Sequence, residues 1–345
     1  MELGISSFGE VRPEGVSGGA AESHRSMQEL IAEAKMADSA GLDVYALGEH
    51  HRPDFIVSAP EVALAAVAAV TKHIRLSSSV TVLSSADPVR VFQDFATLDL
   101  VSGGRAEIMA GRGSFTESFP LFGYSLQDYD ELFVEKLELL MQINRQEVIT
   151  WKGKFRPPIF GKGIYPRPLQ ASLPIWQAVG GTTASAVRAG KLNLPMMIAI
   201  LGGRPDQYVP FIGLYRKSAQ EAGHDPAALQ LGINSQFHIA ENSDQAADEF
   251  YPSYEKLMNR VGKERGWSPI TRDQFEIMRL PEGPLFVGNV QEVTDKIIYQ
   301  HGLFRHTRFL GQLIKGYIDH AKVLKAIELF GTKVAPAVKE ALGGR

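Results

Sequence analysis

The chain has no cysteine among its 345 residues. Disulfides, thiolate nucleophiles and cysteine-ligated zinc or iron–sulfur centres are thereby excluded. An excess of one charge is missing as well, since 36 Lys+Arg face 39 Asp+Glu for a formal net charge of −3. So slight an acidic balance argues against a nucleic acid or an anionic membrane as the main partner. Long apolar runs are also lacking. The longest, Val62–Val70, falls far short of the ~20 residues needed to cross a bilayer. Met1-Glu2-Leu3-Gly4-Ile5 carries no basic leader segment, so the chain is expected to be soluble and cytoplasmic. No G-x-G-x-x-G follows the first strand and no G-x-x-x-x-G-K-[ST] occurs anywhere, which tells against a dinucleotide fold and removes a P-loop. Solenoid-type repeats are not visible.

What remains is an ordinary globular composition, 44% hydrophobic and 22% charged, on a chain long enough to bury a large core. Strand-like and helix-like segments alternate along it. Leu3–Phe8 reads as a strand ended by Gly9, and His24–Ala40 carries apolar residues at helical spacing up to Gly41. Further strands are expected at Asp43–Leu47, Ile74–Leu83, Arg105–Ala110, Ile175–Val179, Pro195–Leu201, Leu231–Ala240 and Arg308–Leu313. The helices between and after them fall at Pro60–Lys72, Pro88–Val101, Asp128–Asn144, Thr182–Lys191, Gln207–Ala222, Ser243–Val261, Val290–His301 and Ile318–Leu342. Two stretches break the period, the proline-rich one at about 146–174 and another at 263–284, and both read as irregular excursions. Eight strands, each followed by helix, point to a single (β/α)8 TIM barrel over residues 1–345, with long loop insertions over the C-terminal face of the strands.

In such a barrel the chemistry sits on the loops after the strands, and five positions there are unusual. Glu49-His50-His51 follows the second strand; adjacent residues of an extended segment point to opposite sides, so only one histidine can face the mouth. Three ligands cannot converge from one strand, which disfavours a metal. A neutral imidazole at the mouth able to move a proton competes with a capping histidine. Ser77 and Ser79 place hydroxyls on one face of a strand that should be apolar, either to meet a ligand or as polar filling of a barrel layer. Arg112 stands between Gly111 and Gly113, where backbone can approach a ligand closely and a planar fork of donors is on offer; a local salt bridge is the plain alternative. Val179-Gly180-Gly181-Thr182-Thr183-Ala184-Ser185 joins the fifth strand to its helix and presents N–H groups at a positive dipole end, an anion site or an ordinary helix cap. With Arg112 on the neighbouring loop, one phosphate held by Arg112 and the Gly180–Ser185 turn is expected. Asn234, Gln236 and His238 share one face of the seventh strand, lining a pocket or satisfied within the core.

Taken in order, Glu49-His50-His51, Asp87-Pro88-Val89-Arg90, Gly111-Arg112-Gly113, Gly180-Gly181-Thr182 with Leu194-Pro195, and Phe286-Val287-Gly288 resemble the bacterial luciferase-like, flavin-dependent monooxygenases over essentially the whole chain. The resemblance implies FMN at the strand C-termini. Its 5′-phosphate would lie on Arg112, Gly181, Thr182 and Ser185, its ribityl chain along Val179 and Gly180, and its ring against a cis peptide between Ser79 and Val80. His50 falls at the family's catalytic histidine. Gly111 stands where some luciferases carry a reactive thiol, and Gly181 where they carry an acidic residue. The function implied is oxygenation of a small, apolar organic substrate through a flavin hydroperoxide, using O2 and reduced FMN supplied by a separate NAD(P)H-dependent flavin reductase. A deazaflavin coenzyme acting by hydride transfer, or a flavin-binding protein without turnover, are the alternatives. Aromatic residues of the loops 114–127 and 151–174 (Phe115, Phe119, Phe122, Tyr124, Phe155, Phe160, Tyr165) suggest either a substrate wall or loop packing. The helix from Pro60 is apolar almost all round, which points to a homodimer or to cover by the C-terminal helix.

Overall fold

The computed structural model describes residues 1–11 and 13–343. Eight parallel strands close on themselves: β1 (Glu2–Ser7), β2 (Val44–Leu47), β3 (Arg75–Ser78), β4 (Ala106–Gly111), β5 (Ile175–Val179), β6 (Met196–Ala199), β7 (Leu231–Ile239) and β8 (Arg308–Leu313). Each pairs with the next, and β8 returns to β1 through Glu2↔Arg308 to Ser6↔Gln312. The expected barrel is therefore present. Around it run α1 (Pro13–Ser39), α2 (Pro60–Val70), α3 (Pro88–Ser102), α4 (Tyr129–Arg145), α5 (Thr183–Lys191), α6 (Val209–Glu221), α7 (Ser243–Arg265), α8 (Arg272–Arg279), α9 (Val290–Phe304) and α10 (His320–Leu329).

Side-chain alternation along the strands divides the interior in two. One set of positions packs outward against the helices. The other set, with Val44, Ala46, Met109, Trp176, Met197 and Leu310, forms a small separate cluster inside the barrel. The barrel floor is ionic. Arg308 lies over the Trp176 ring, 4.1 Å from its centroid, and donates through both terminal nitrogens to the Glu107 carboxylate and through Nε to Glu2 Oε2 at 2.8 Å.

Several segments differ from expectation. The excursion at 146–174 contains an antiparallel hairpin, Val148–Trp151 with Ile159–Gly163. That at 263–284 contains α8, set by a reciprocal capping box between Thr271 and Gln274. The first helix begins at Pro13, with its helical backbone broken at Gly19. A short strand, Phe286–Gly288, pairs with the end of β7. The strand expected as continuous over Ile74–Leu83 stops at Ser78 and resumes at Thr81–Val82, where it pairs with Ala110 and Gly111. Ser78 bridges the gap with its side chain: Oγ accepts from Met109 N at 3.0 Å and donates to Met109 O at 3.2 Å. A hydroxyl thus replaces two ladder bonds that the backbone of the third strand does not make.

Candidate active site

The break in the third strand shapes the mouth. The Ser79–Val80 peptide bond is cis. Ser79 N donates to Leu47 O, and Val80 O accepts from Glu49 N at 3.2 Å. The Val80 side chain turns onto β4, where a Cβ on Gly111 would lie 2.6 Å from Val80 Cγ2. Glycine at 111 is what this close approach requires.

Glu49 and His51, two residues apart, share one side of their segment. His51 Nε2 lies 2.8 Å from Glu49 Oε1, while Glu49 Oε2 accepts from Val82 N at 2.7 Å. Glu49, steadied by His51, thus holds the segment on the Val80–Val82 side of the cis peptide, while Leu47 O holds the Ser79 side. Its hydrogen bond to Glu49 raises the pKa of His51; burial opposes this, and the charges of Glu49 and Glu117 assist it. A histidine whose folded pKa exceeds its unfolded value contributes stability that is complete below the unfolded pKa of 6.5 and is lost as pH rises through the folded value. The stability advantage of the wild type over a His51→Gln variant should accordingly shrink as pH rises above about 6.5. Unfolding midpoints measured across that range check this, and a constant difference would sink it.

His50 points the other way, as alternation demands, and is 7% exposed. Three aromatic rings enclose it: Phe55 stacked at 4.3 Å, Phe8 edge-on at 4.8 Å and Phe115 edge-on at 5.1 Å. Its Nδ1 faces Glu117 Oε1 at 3.6 Å, and Glu117 also accepts from His51 N at 3.4 Å. Burial pushes the Glu117 pKa up, but the hydrogen bonds from His50 and from backbone amides outweigh it and leave the carboxyl below its usual value.

Across the rim lies the turn at which an anion is expected. Arg112 donates through Nη2 to Thr182 Oγ1 at 2.9 Å, pairs through Nη1 with the exposed Asp130 carboxylate, and lies over the Tyr129 ring at 5.2 Å. Tyr129 in turn donates its hydroxyl to Gly113 O at 2.5 Å. No side chain caps the first turn of α5. Gly181 sits at φ +105°, and both it and Gly180 look onto open space. Val179 is buried at the end of β5. Ser185 is buried beneath the first turn, where its carbonyl accepts from Gln177 Nε2 at 2.8 Å. Of the residues expected around an anion, Arg112, Gly180, Gly181 and Thr182 therefore line an open cradle, and Ser185 lies below it.

The shared face of the seventh strand splits. Asn234 donates to Ser6 Oγ at 2.7 Å inside the barrel, and His238 lies 2.9 Å from Glu249 Oε2 on α7, with burial lowering its pKa. No group of three or more His, Asp or Glu side chains is placed to hold a metal among the described residues.

The family model for luciferase-like monooxygenases matches residues 1–305. This chain belongs to that family. Its sequence is 27% identical over 290 residues to the N-acetyl-S-alkylcysteine monooxygenase of Bacillus subtilis, 82% of this chain and 80% of the other. Its fold superimposes with a TM-score of 0.77 on the oxygenating constituent of 3,6-diketocamphane monooxygenase from the CAM plasmid of Pseudomonas putida, in complex with FMN, at 20% identity over 97% of this chain and 98% of that one. The coenzyme F420-dependent tetrahydromethanopterin reductase of Methanopyrus kandleri gives 0.76 at 18% identity, covering 98% and 99%.

The luciferase-like motifs do not announce several neighbours of these residues. Phe8 from the loop after β1 and Phe55 from His50's own loop complete the box around His50, and Glu117 reaches it from the loop after β4. Of the loop aromatics, Phe115 meets His50 and Phe122 meets His51, whereas Phe119 stacks on Tyr129 and Phe160 and Tyr165 are exposed on the excursion. Arg188, one turn beyond Ser185, packs over Phe133 at 5.5 Å with Nη1 buried and unpartnered. Burial and the adjacent Arg112 charge both lower its pKa. Its spacing of three from Ser185 was the only signal available.

Proposed function

We propose that this protein is the oxygenating component of a two-component monooxygenase, taking reduced FMN from a separate reductase and transferring one atom of O2 to a small, largely apolar organic substrate. The observation that carries this reading is the pairing of an open cationic cradle at an uncapped helix start with a histidine boxed by three phenylalanines on the same barrel mouth. The residues fit a flavin phosphate. Arg112 is bonded to Thr182 beside the open Gly180 and Gly181, and the like charge of Arg112 already bears on Arg188, a repulsion that an anion near the two would relieve. When bound, reduced flavin would supply the two electrons by which O2 yields one oxygen atom to the substrate and the other to water.

The chain's own part is positioning and exclusion. Arg112, Thr182 and the first amides of α5 would hold the phosphate, with Gly180 and Val179 along the ribityl chain. Ser79 and Val80, braced by Glu49 and His51, offer a fixed wall to the ring. Phe8, Phe55 and Phe115 keep bulk water from His50, whose imidazole would hold or move a proton for the reacting groups. Glu117 orients it through Nδ1. A homodimer accompanies this proposal. The C-terminal α10 packs on α1, leaving Val62 (69% exposed) and Val70 (44%) of α2 beside the exposed Leu100 and Val101 of α3.

The test is anaerobic protein with bound reduced FMN, mixed rapidly with oxygenated buffer. Recovery of oxidised-flavin absorbance should lag well behind that of free reduced FMN. Recovery at the free rate would overturn the oxygenase reading and favour a deazaflavin hydride transfer or a flavin carrier. A His50→Ala variant is expected to bind FMN as tightly as the wild type while losing product formation; undiminished turnover would remove its role.

A further inference from the structure

Three layers of polar side chains fill the barrel interior, and in the lower two the central groups bind one another, with Arg75 Nη1 left over at the floor. At the floor Arg308, Glu107 and Glu2 bind one another; midway, Asn234 donates to Ser6. The uppermost layer is different. Gln236 on β7 and Gln312 on β8 are register partners on adjacent strands. Both follow by two residues a neighbour that points inward, Asn234 and Leu310, so both amides enter the barrel at its mouth. They are 3% and 2% exposed, and the Oε1 of each is buried without a hydrogen-bond partner. Native interiors rarely leave two adjacent amides unpaired, and where they do, an absent ligand is one standing explanation.

We infer that Gln236 and Gln312 form an amide pair that reads the pyrimidinedione edge common to flavins and deazaflavins, an assignment that rests on the flavin reading above. In a closed ring of eight strands, β7 and β8 face β3 and β4 across the mouth. A ligand anchored at Arg112 and walled by Ser79–Val80 thus presents its far side to the two glutamines. Their chemistry selects which edge that is. A primary amide offers one acceptor and two donors, and the pyrimidinedione edge carries an imide N–H between two carbonyl oxygens. One Oε1 accepts the imide hydrogen, the other takes an Nε2 hydrogen of the neighbouring glutamine, and the remaining Nε2 hydrogens donate to the flanking oxygens. The dimethylbenzene edge of a flavin would leave both amides unsatisfied, and a charged group would be matched by opposite charge instead. Because the edge is shared, the pair fixes ring orientation without distinguishing FMN from a deazaflavin.

The experiment compares binding of FMN and of 3-methyl-FMN, in which a methyl group replaces the imide hydrogen, by flavin fluorescence quenching. The protein is used as wild type and as the Gln236→Met/Gln312→Met variant. The wild type should bind FMN at least 10-fold more tightly than the methylated analogue, and the variant should bind the two alike. Because neither amide has a hydrogen-bond partner to lose among the described residues, the ligand-free variant should unfold at or above the wild-type temperature, which separates recognition from a structural role. Equal binding of the two flavins by the wild type, or an undiminished preference in the variant, would overturn the assignment. Failure of the wild type to bind FMN, riboflavin or a deazaflavin would overturn the flavin reading itself, and the pair's role with it.

Discussion

Replacing Arg112 by alanine should weaken FMN binding by about 10- to 100-fold while leaving riboflavin binding nearly unchanged. A hydrogen bond to a charged partner is worth roughly 1.5–3 kcal/mol, and each ~1.4 kcal/mol is tenfold in affinity. The phosphate is the only part of FMN that riboflavin lacks, so the two ligands isolate the interaction. Arg112 is well prepared for it. Gly111 and Gly113 bring the strand end close to the mouth, and Thr182 already fixes one arm at 2.9 Å. The Tyr129 ring supports the guanidinium plane. Arg112→Lys should recover part of the affinity, since an ammonium keeps the charge but loses the fork. Arg188→Leu should impose a second, smaller loss confined to FMN, because its unpaired nitrogen is nearby and Arg112 lowers its pKa. Titration of each variant with both ligands measures this. Equal loss of FMN and riboflavin would mean that Arg112 shapes the mouth instead of binding phosphate.

The second large effect concerns stability. Glu107 is 1% exposed and takes two donors from Arg308, with Arg75 Nε 3.6 Å away. Glu107→Ala should lower unfolding free energy by about 3–5 kcal/mol, because it leaves a buried guanidinium facing an unfilled space. Replacing both partners with apolar residues, Glu107→Leu with Arg308→Met, should restore much of the loss, since two desolvated charges are then removed together. Denaturant unfolding of the three proteins decides. If the single variant is as stable as the wild type, water has taken over the Glu107 position and the floor is not held by this pair. FMN affinity should be unaffected in either variant, because Glu107 lies at the opposite end of the barrel from Arg112.

The hairpin at Val148–Trp151 and Ile159–Gly163 shows why the excursions were not legible. Its strands are short, mostly exposed and flanked by prolines, so neither alternation nor an apolar run marks them. The helix Arg272–Arg279 has only one buried side chain, Phe275, and depends on its capping box. The break in the third strand has a different origin. Ile74–Leu83 satisfies every local requirement of a strand, and only Val80 packing onto Gly111 and Glu49 gripping Val82 separate its two halves.

The order of eight strands and helices, the loops that rise over the mouth and the residues Glu49, His50, Arg112, Gly180 and Thr182 at the strand ends could be read from the chain itself. Each is a local property, set by periodicity, capping and the placement of glycine. Closure of the ring decided the rest. It brought Phe8, Phe115 and Glu117 onto His50, Arg188 beside Arg112, Arg308 onto Glu107, and Gln312 against Gln236. Partners 42 to 201 positions apart become neighbours only through strand register and barrel shear, and a linear pattern of residue types carries neither.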